Sequence, residues 1–213
     1  MRRVRVLVPA LALGLLAGCG DDAGGDVGDV GDEPAPPSSS APATSAAPAD
    51  LGATLDADVR VDGSLVRIRY TLTNGGDEPL PVVDAVGTDA ATIDPTEVYV
   101  VGADDGVLQL SQRLFARPAD DDNDYAAPFY AGVTEVPPGE SLERSLEVGL
   151  PAREDKPFPG YYADGEQPAP WPAASVVFCV GALDPALDLL DGRVTHGSDV
   201  AQQVLCSDEV DLT

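Results

Sequence analysis

Between Thr54 and Leu72, polar and apolar side chains alternate almost one by one, and the alternation breaks only around Asp62-Gly63. A side-chain period of two suits a strand with one buried face. An Asp-Gly pair between two such runs favours a two-residue hairpin turn, because Gly readily takes the positive φ that this turn demands. Counted outward from that turn, Val59 faces Val66, Ala57 faces Ile68 and Leu55 faces Tyr70, while Asp58 faces Arg67 and Asp56 faces Arg69. Apolar meets apolar on one side and acid meets base on the other, so the two faces agree on the register. Each exposed charge pair adds only a few tenths of a kcal/mol. On this reading the arginines are hairpin partners rather than an anion site.

The same period continues to the end of the chain, and no window of a dozen residues carries a helical stripe. Strands are expected at 80–83, 97–101, 107–114, 129–136, 141–148, 174–181 and 202–210, separated by turn signals such as Asn74-Gly75-Gly76-Asp77 and Pro137-Pro138-Gly139-Glu140. The fold class is therefore all-β: an antiparallel sandwich of about eight or nine strands over residues 52–213. The stretch Tyr70-Thr71-Leu72-Thr73-Asn74, followed by Val136-Pro137-Pro138-Gly139-Glu140-Ser141, resembles the immunoglobulin-like bacterial domains of the intracellular proteinase inhibitor type. That resemblance implies an immunoglobulin-like sandwich and says little about function.

The first 51 residues follow a different logic. Met1-Arg2-Arg3-Val4-Arg5 is positively charged and Val6 to Gly18 is uncharged, a run too short to span a bilayer but suited to an export leader. Leu16-Ala17-Gly18-Cys19 resembles the lipobox of bacterial lipoproteins, which implies cleavage after residue 18 and acylation of Cys19. The alternatives are an ordinary leader followed by a free thiol, or an uncleaved anchor. Two acyl chains hold a protein durably on a membrane where one binds marginally. Residues 20–50 contain seven acids, no bases and no aromatics. They are expected to stay unfolded as a tether, residues 19–51, with an end-to-end distance on the order of 30 Å.

With 12 basic and 37 acidic residues the chain carries −25, and removal of the three leader arginines leaves −28. Such a surface repels nucleic acid and anionic headgroups, so no nucleic-acid partner is expected. Cys179 and Cys206, each inside an apolar strand of an exported chain, are expected to form a structural disulfide worth roughly 3.5 kcal/mol.

Three other features invite chemistry. Asp120, Asp122 and Asp124 alternate as in calcium loops, but Tyr125 and Ala131 stand where an EF-hand needs Gly and Glu, leaving at most a loose calcium site. His196, the one histidine, lies beside Ser198 and Asp199, yet three loop neighbours cannot readily aim at one another in series as a triad must. The stretch 157–172 holds Phe158, Tyr161, Tyr162 and Trp171 among five prolines. Preorganised aromatics on a long loop suit a sugar or peptide ligand; alternatively the loop folds back and buries its own rings.

The combined expectation is a lipid-anchored extracytoplasmic protein, attached to the membrane through Cys19, whose domain binds an envelope protein or glycan. No cofactor and no catalysis are expected. The competing expectations are a cell-surface protease inhibitor or enzyme-accessory domain, with Phe115 to Phe129 as the inhibitory loop, and a low-affinity cation-binding or structural surface lipoprotein.

Overall fold

The computed structural model describes residues 50–87, 92–102, 106–117, 128–158, 172–187, 189–197 and 201–212. Cys19, the leader and residues 19–49 of the tether, the Asp120, Asp122 and Asp124 run, and Tyr161, Tyr162 and Trp171 lie outside the described residues; Leu51, expected at the end of the tether, instead packs against the core and donates its N–H to Gln203 Oε1 at 2.9 Å.

The hairpin comes first, as β1 (Ala53–Asp62) and β2 (Leu65–Asn74). Its faces are as expected but its register is not: Asp62 pairs with Leu65, Val59 with Ile68 and Asp58 with Arg69, two residues away from the expected count. The turn is centred on Gly63-Ser64, with Gly63 at φ 60°. A single positive φ at the first central position is what a type II′ turn needs, so Gly63 takes that place and Asp62 becomes the last strand residue. A shift of two keeps every side chain on its own face. The charge pairs change partners: Arg67 donates to Asp62 at 2.5 Å and to Glu147 at 3.0 Å, and Arg60 to Asp58 at 2.9 Å.

Nine further strands follow among the described residues: β3 (Leu80–Ala85), β4 (Tyr99–Gly102), β5 (Val107–Gln112), β6 (Tyr130–Val136), β7 (Ser141–Gly149), β8 (Ser175–Leu183), β9 (Arg193–Thr195), β10 (Gln202–Cys206) and β11 (Val210–Asp211). They form two sheets, a three-stranded β1-β2-β7 and an eight-stranded one built around β8. The architecture is all-β and sandwich-like, with more strands than expected. One pairing departs from the antiparallel expectation, because β5 runs parallel to β8 from Val107↔Ser175 to Gln112↔Val180. Along β8, one edge carries β5 and then β3, and the other carries β11 and then β10.

The main core lies between the sheets. Val66, Ile68 and Leu72 from β2 meet Leu108, Leu110, Val176, Phe178 and Val180, all fully or almost fully buried, and Tyr70 stacks on Phe178 with centroids 4.9 Å apart. The far face of the large sheet is apolar too: Val83, Tyr99, Leu114, Ala131, Leu183 and Val194 form a second cluster, with Phe115, Leu187 and Leu189 packed against it. Burial on both faces explains why β3 and β8 read as near-continuous apolar runs rather than alternating ones.

A polar bolt crosses the main core. The Tyr70 hydroxyl donates to Gln112 Oε1 at 2.8 Å, and Gln112 Nε2 reaches the carbonyls of Asp84, Pro95 and Glu97 at 3.0–3.2 Å. The buried Asp84 carboxylate accepts from Arg144 of β7 and from Thr134 at 2.8 Å. Burial pushes the Tyr70 phenol well above its ordinary pKa. The two stretches that carry the family resemblance also meet: Asn74 is fully buried, donates from Nδ2 to the carbonyls of Glu78 and Val136 at 2.8 Å, and exchanges backbone bonds with Gly139 and Glu140.

Candidate functional site: a buried histidine pin

Four separate pieces of chain converge on the far face of the large sheet, and the dipeptide His196-Gly197 ties them together. His196 N–H donates to the Phe129 carbonyl at 2.9 Å and Gly197 N–H to the Phe115 carbonyl at 2.8 Å. Phe115 N–H in turn donates to His196 Nδ1 at 3.2 Å. Phe115 and Phe129, which bracket residues 118–127 in sequence, are thus fastened to the same two residues.

The ring nitrogens fix the tautomer. Because Nδ1 accepts from a backbone N–H, the proton of the neutral imidazole sits on Nε2 and is donated to the Tyr99 hydroxyl, 3.1 Å away, which itself donates to the Gly87 carbonyl at 3.1 Å. His196 is 3% exposed. Burial, together with the nearby Arg113 charge, lowers its pKa from 6.5 to about 4. Tyr99 is pushed up to about 12 by burial. Neither ring nitrogen is left over to activate a nucleophile, so the imidazole serves as a pin rather than a base. Ser198 and Asp199, its neighbours in sequence, lie outside the described residues.

Aromatic rings pack around the pin. Tyr99 meets Phe115 edge-on at 5.5 Å, and Arg113 lies over the Phe115 ring at 4.1 Å, a cation–π contact that holds a partly buried guanidinium. Phe158, the first aromatic of the 157–172 stretch, packs edge-on against Phe129 at 5.3 Å and is 8% exposed. Gly197 has φ 79°, and a Cβ there would stand 2.9 Å from the Phe158 ring. Glycine is therefore required at 197 twice over, by backbone conformation and by close approach. Phe158 itself has φ 58°, a costly conformation for a large side chain, held by burial of its ring.

Of the four aromatics singled out in the sequence, Phe158 folds back and buries its ring; Tyr161, Tyr162 and Trp171 lie outside the described residues, as do Asp120, Asp122 and Asp124. Cys179 and Cys206 are directly opposed on β8 and β10 and are joined by a disulfide. Among the described residues, no group of three or more His, Cys, Asp or Glu side chains is placed to hold a metal ion.

Two depressions were not anticipated from the sequence. One, of about 520 Å³, lies on the outer face of the three-stranded sheet among Asp56, Asp58, Arg69, Thr71, Glu143 and Ser145. The other, of about 410 Å³, is lined by Glu97, Glu147, Arg153, Glu154 and Asp155, with the Asp155 carboxyl held above its ordinary pKa by burial and by Glu97. Both depend on register between strands distant in sequence, which a single-sequence reading does not supply.

No protein-family model, curated protein or solved structure matches this chain.

Proposed function

We propose that this chain is an exported, lipid-anchored envelope protein whose single immunoglobulin-like sandwich acts as a binding or accessory module, without catalysis of its own. The observation that carries the reading is Leu16-Ala17-Gly18-Cys19 closing an uncharged leader. The Cys179–Cys206 disulfide agrees with an oxidising compartment. Support for the immunoglobulin-like assignment comes from strand order. The three-stranded β1-β2-β7 faces β10-β8-β3-β6, the order of the A-B-E and G-F-C-C′ strands in such sandwiches.

The binding surface in this proposal is formed by residues 118–127 and 159–171, whose described flanking residues gather around His196-Gly197. Binding residues concentrate on loops positioned by a rigid scaffold, and here residues 118–127 and 159–171 both start from anchored aromatics, Phe115 and Phe158. Its partner class is an envelope protein or glycan, with the strong negative charge favouring a basic or cation-bridged surface over nucleic acid. A second reading, a protease inhibitor with Phe115 to Phe129 as its loop, is supported by one feature: Phe115 and Phe129 are both tied to His196-Gly197.

Two experiments test this. Replacing Cys19 with Ser should move the protein from the membrane to the soluble fraction; retention on the membrane contradicts the anchor. Proximity labelling in the native envelope should identify a partner whose capture is lost in a Tyr161→Ala, Tyr162→Ala, Trp171→Ala variant of unchanged melting temperature. If that variant instead melts earlier and keeps its partner, the aromatic stretch is a structural lid.

A further inference from the structure

Tyr99, Ser111, Cys179 and Cys206 form one row across β4, β5, β8 and β10, each the direct register partner of the next. Their chain neighbours Leu110, Phe178 and Leu205 point into the main core, so this row lies on the opposite face of the sheet. Burial changes sharply along the row. Ser111 and Cys179 are buried, Cys179 at 1% exposure, whereas Cys206 is exposed and its neighbour Val204 is 39% exposed. Cys206 is therefore the exposed residue of the disulfide and Cys179 the buried one.

The buried residue has an unusual companion. The Ser111 hydroxyl is buried and has no hydrogen-bond partner among the described residues. Burying a hydroxyl unpaired is costly, and its nearest register neighbour on β8 is Cys179, whose sulfur accepts little while it is bonded to Cys206. As a thiol or thiolate, Cys179 would accept that hydrogen bond well.

The disulfide is not the sole contact that holds β10. Gln202 to Cys206 pair with β8, Gln202 exchanges hydrogen bonds with Leu114 at 2.9 and 3.1 Å, Leu205 packs on the core, and Ser207 exchanges bonds with Phe178 at 2.8 and 3.0 Å. None of these contacts involves the sulfur atoms.

We propose that Cys179–Cys206 is a reversible thiol-exchange site, reduced in the folded protein by a dithiol reductant that attacks the sulfur of the exposed Cys206. The reductant's thiolate forms a mixed disulfide with Cys206. The Cys179–Cys206 bond breaks, and its electron pair leaves on Cys179, where the Ser111 hydroxyl donates to the new thiolate until it is protonated. The second thiol of the reductant then attacks the mixed disulfide, releasing Cys206 as a thiol. Two electrons and two protons pass from the dithiol to the protein, and the reductant becomes a disulfide. This inference concerns the domain alone and stands apart from how the chain is anchored or what it binds.

The test uses the full chain without denaturant, incubated with glutathione and, separately, with graded mixtures of reduced and oxidised dithiothreitol, then alkylated and mapped by peptide mass spectrometry so that Cys19 is read separately. The expected result is a glutathione adduct on Cys206, a reduction rate proportional to thiol concentration, and retention after reduction of the aromatic fine structure in the near-ultraviolet circular dichroism spectrum, with only the broad disulfide band lost. An adduct on Cys179, a rate that does not depend on thiol concentration, or loss of that fine structure on reduction overturns the proposal. Ser111→Ala is expected to shift the dithiol–disulfide equilibrium about fivefold toward the disulfide, the worth of one ordinary hydrogen bond. It should not lower the melting temperature of the oxidised protein, where the hydroxyl has no partner. An equilibrium unchanged by Ser111→Ala removes Ser111 from the mechanism.

Discussion

Protonation of His196 should loosen the root of the 118–127 segment, and the cost follows from the geometry. The neutral ring accepts from Phe115 N–H through Nδ1; the imidazolium carries a proton there and cannot. The unfolded chain titrates at 6.5, but the folded chain resists protonation until about pH 4. Between those values the unfolded state binds a proton that the folded state does not, so stability falls as pH falls. The contribution is complete above pH 6.5 and is lost progressively down to about pH 4, and the gap corresponds to about 3 kcal/mol. Because the chain has a single histidine, its imidazole proton resonance is assigned without ambiguity. A nuclear magnetic resonance titration of the folded protein should give a midpoint near 4. Urea unfolding between pH 7 and pH 4 should show the loss in the wild type and a much smaller one in His196→Gln, which keeps the carboxylates but removes the titrating ring. A midpoint near 6.5, or equal pH dependence in both proteins, refutes the buried pin.

Three further outcomes follow from packing and hydrogen bonding. Asp84→Ala removes the acceptor of Arg144 and Thr134 inside the sandwich, and should cost about 2 kcal/mol in urea unfolding, less than a fully buried pair because the Arg144 side chain is 30% exposed. Tyr70→Phe leaves Gln112 Oε1 without its donor and should cost about 1–2 kcal/mol by the same assay; no change would show that the hydroxyl bond is not made. Gly132→Ala places a methyl 2.9 Å from Ala85 Cβ and 3.0 Å from Ile93 Cγ2 and should lower the melting temperature at a cost of about 1–3 kcal/mol, whereas Gly149→Ala, with open space around it, should not.

How much of this was legible beforehand depended on how local each feature is. The faces of β1 and β2 follow from alternation alone, because an even slip of register leaves them intact. The register did not, because Asp-Gly and Gly-Ser are both acceptable two-residue turns and only backbone geometry separates them. A genuine Asp-Gly turn does occur at Asp191-Gly192, with both residues at positive φ, but Leu190 and Arg193 flank it too briefly to read as strands. The turns at 74–77 and 137–140 were legible from their residue types, but the pairing of Asn74 with Gly139 and Glu140 was not. Nor was the parallel contact of β5 with β8, since nothing in either run encodes a partner some 70 residues away. His196 was the least legible. Its role rests on backbone groups of Phe115 and Phe129, and backbone groups carry no residue-type signal.

Intact-mass analysis of the protein recovered from its own cell envelope tests the central claim most directly. The account predicts a chain that begins at Cys19 and exceeds its polypeptide mass by two or three acyl chains. A chain that still carries Met1–Gly18, or that begins at Cys19 with no added hydrocarbon, contradicts it.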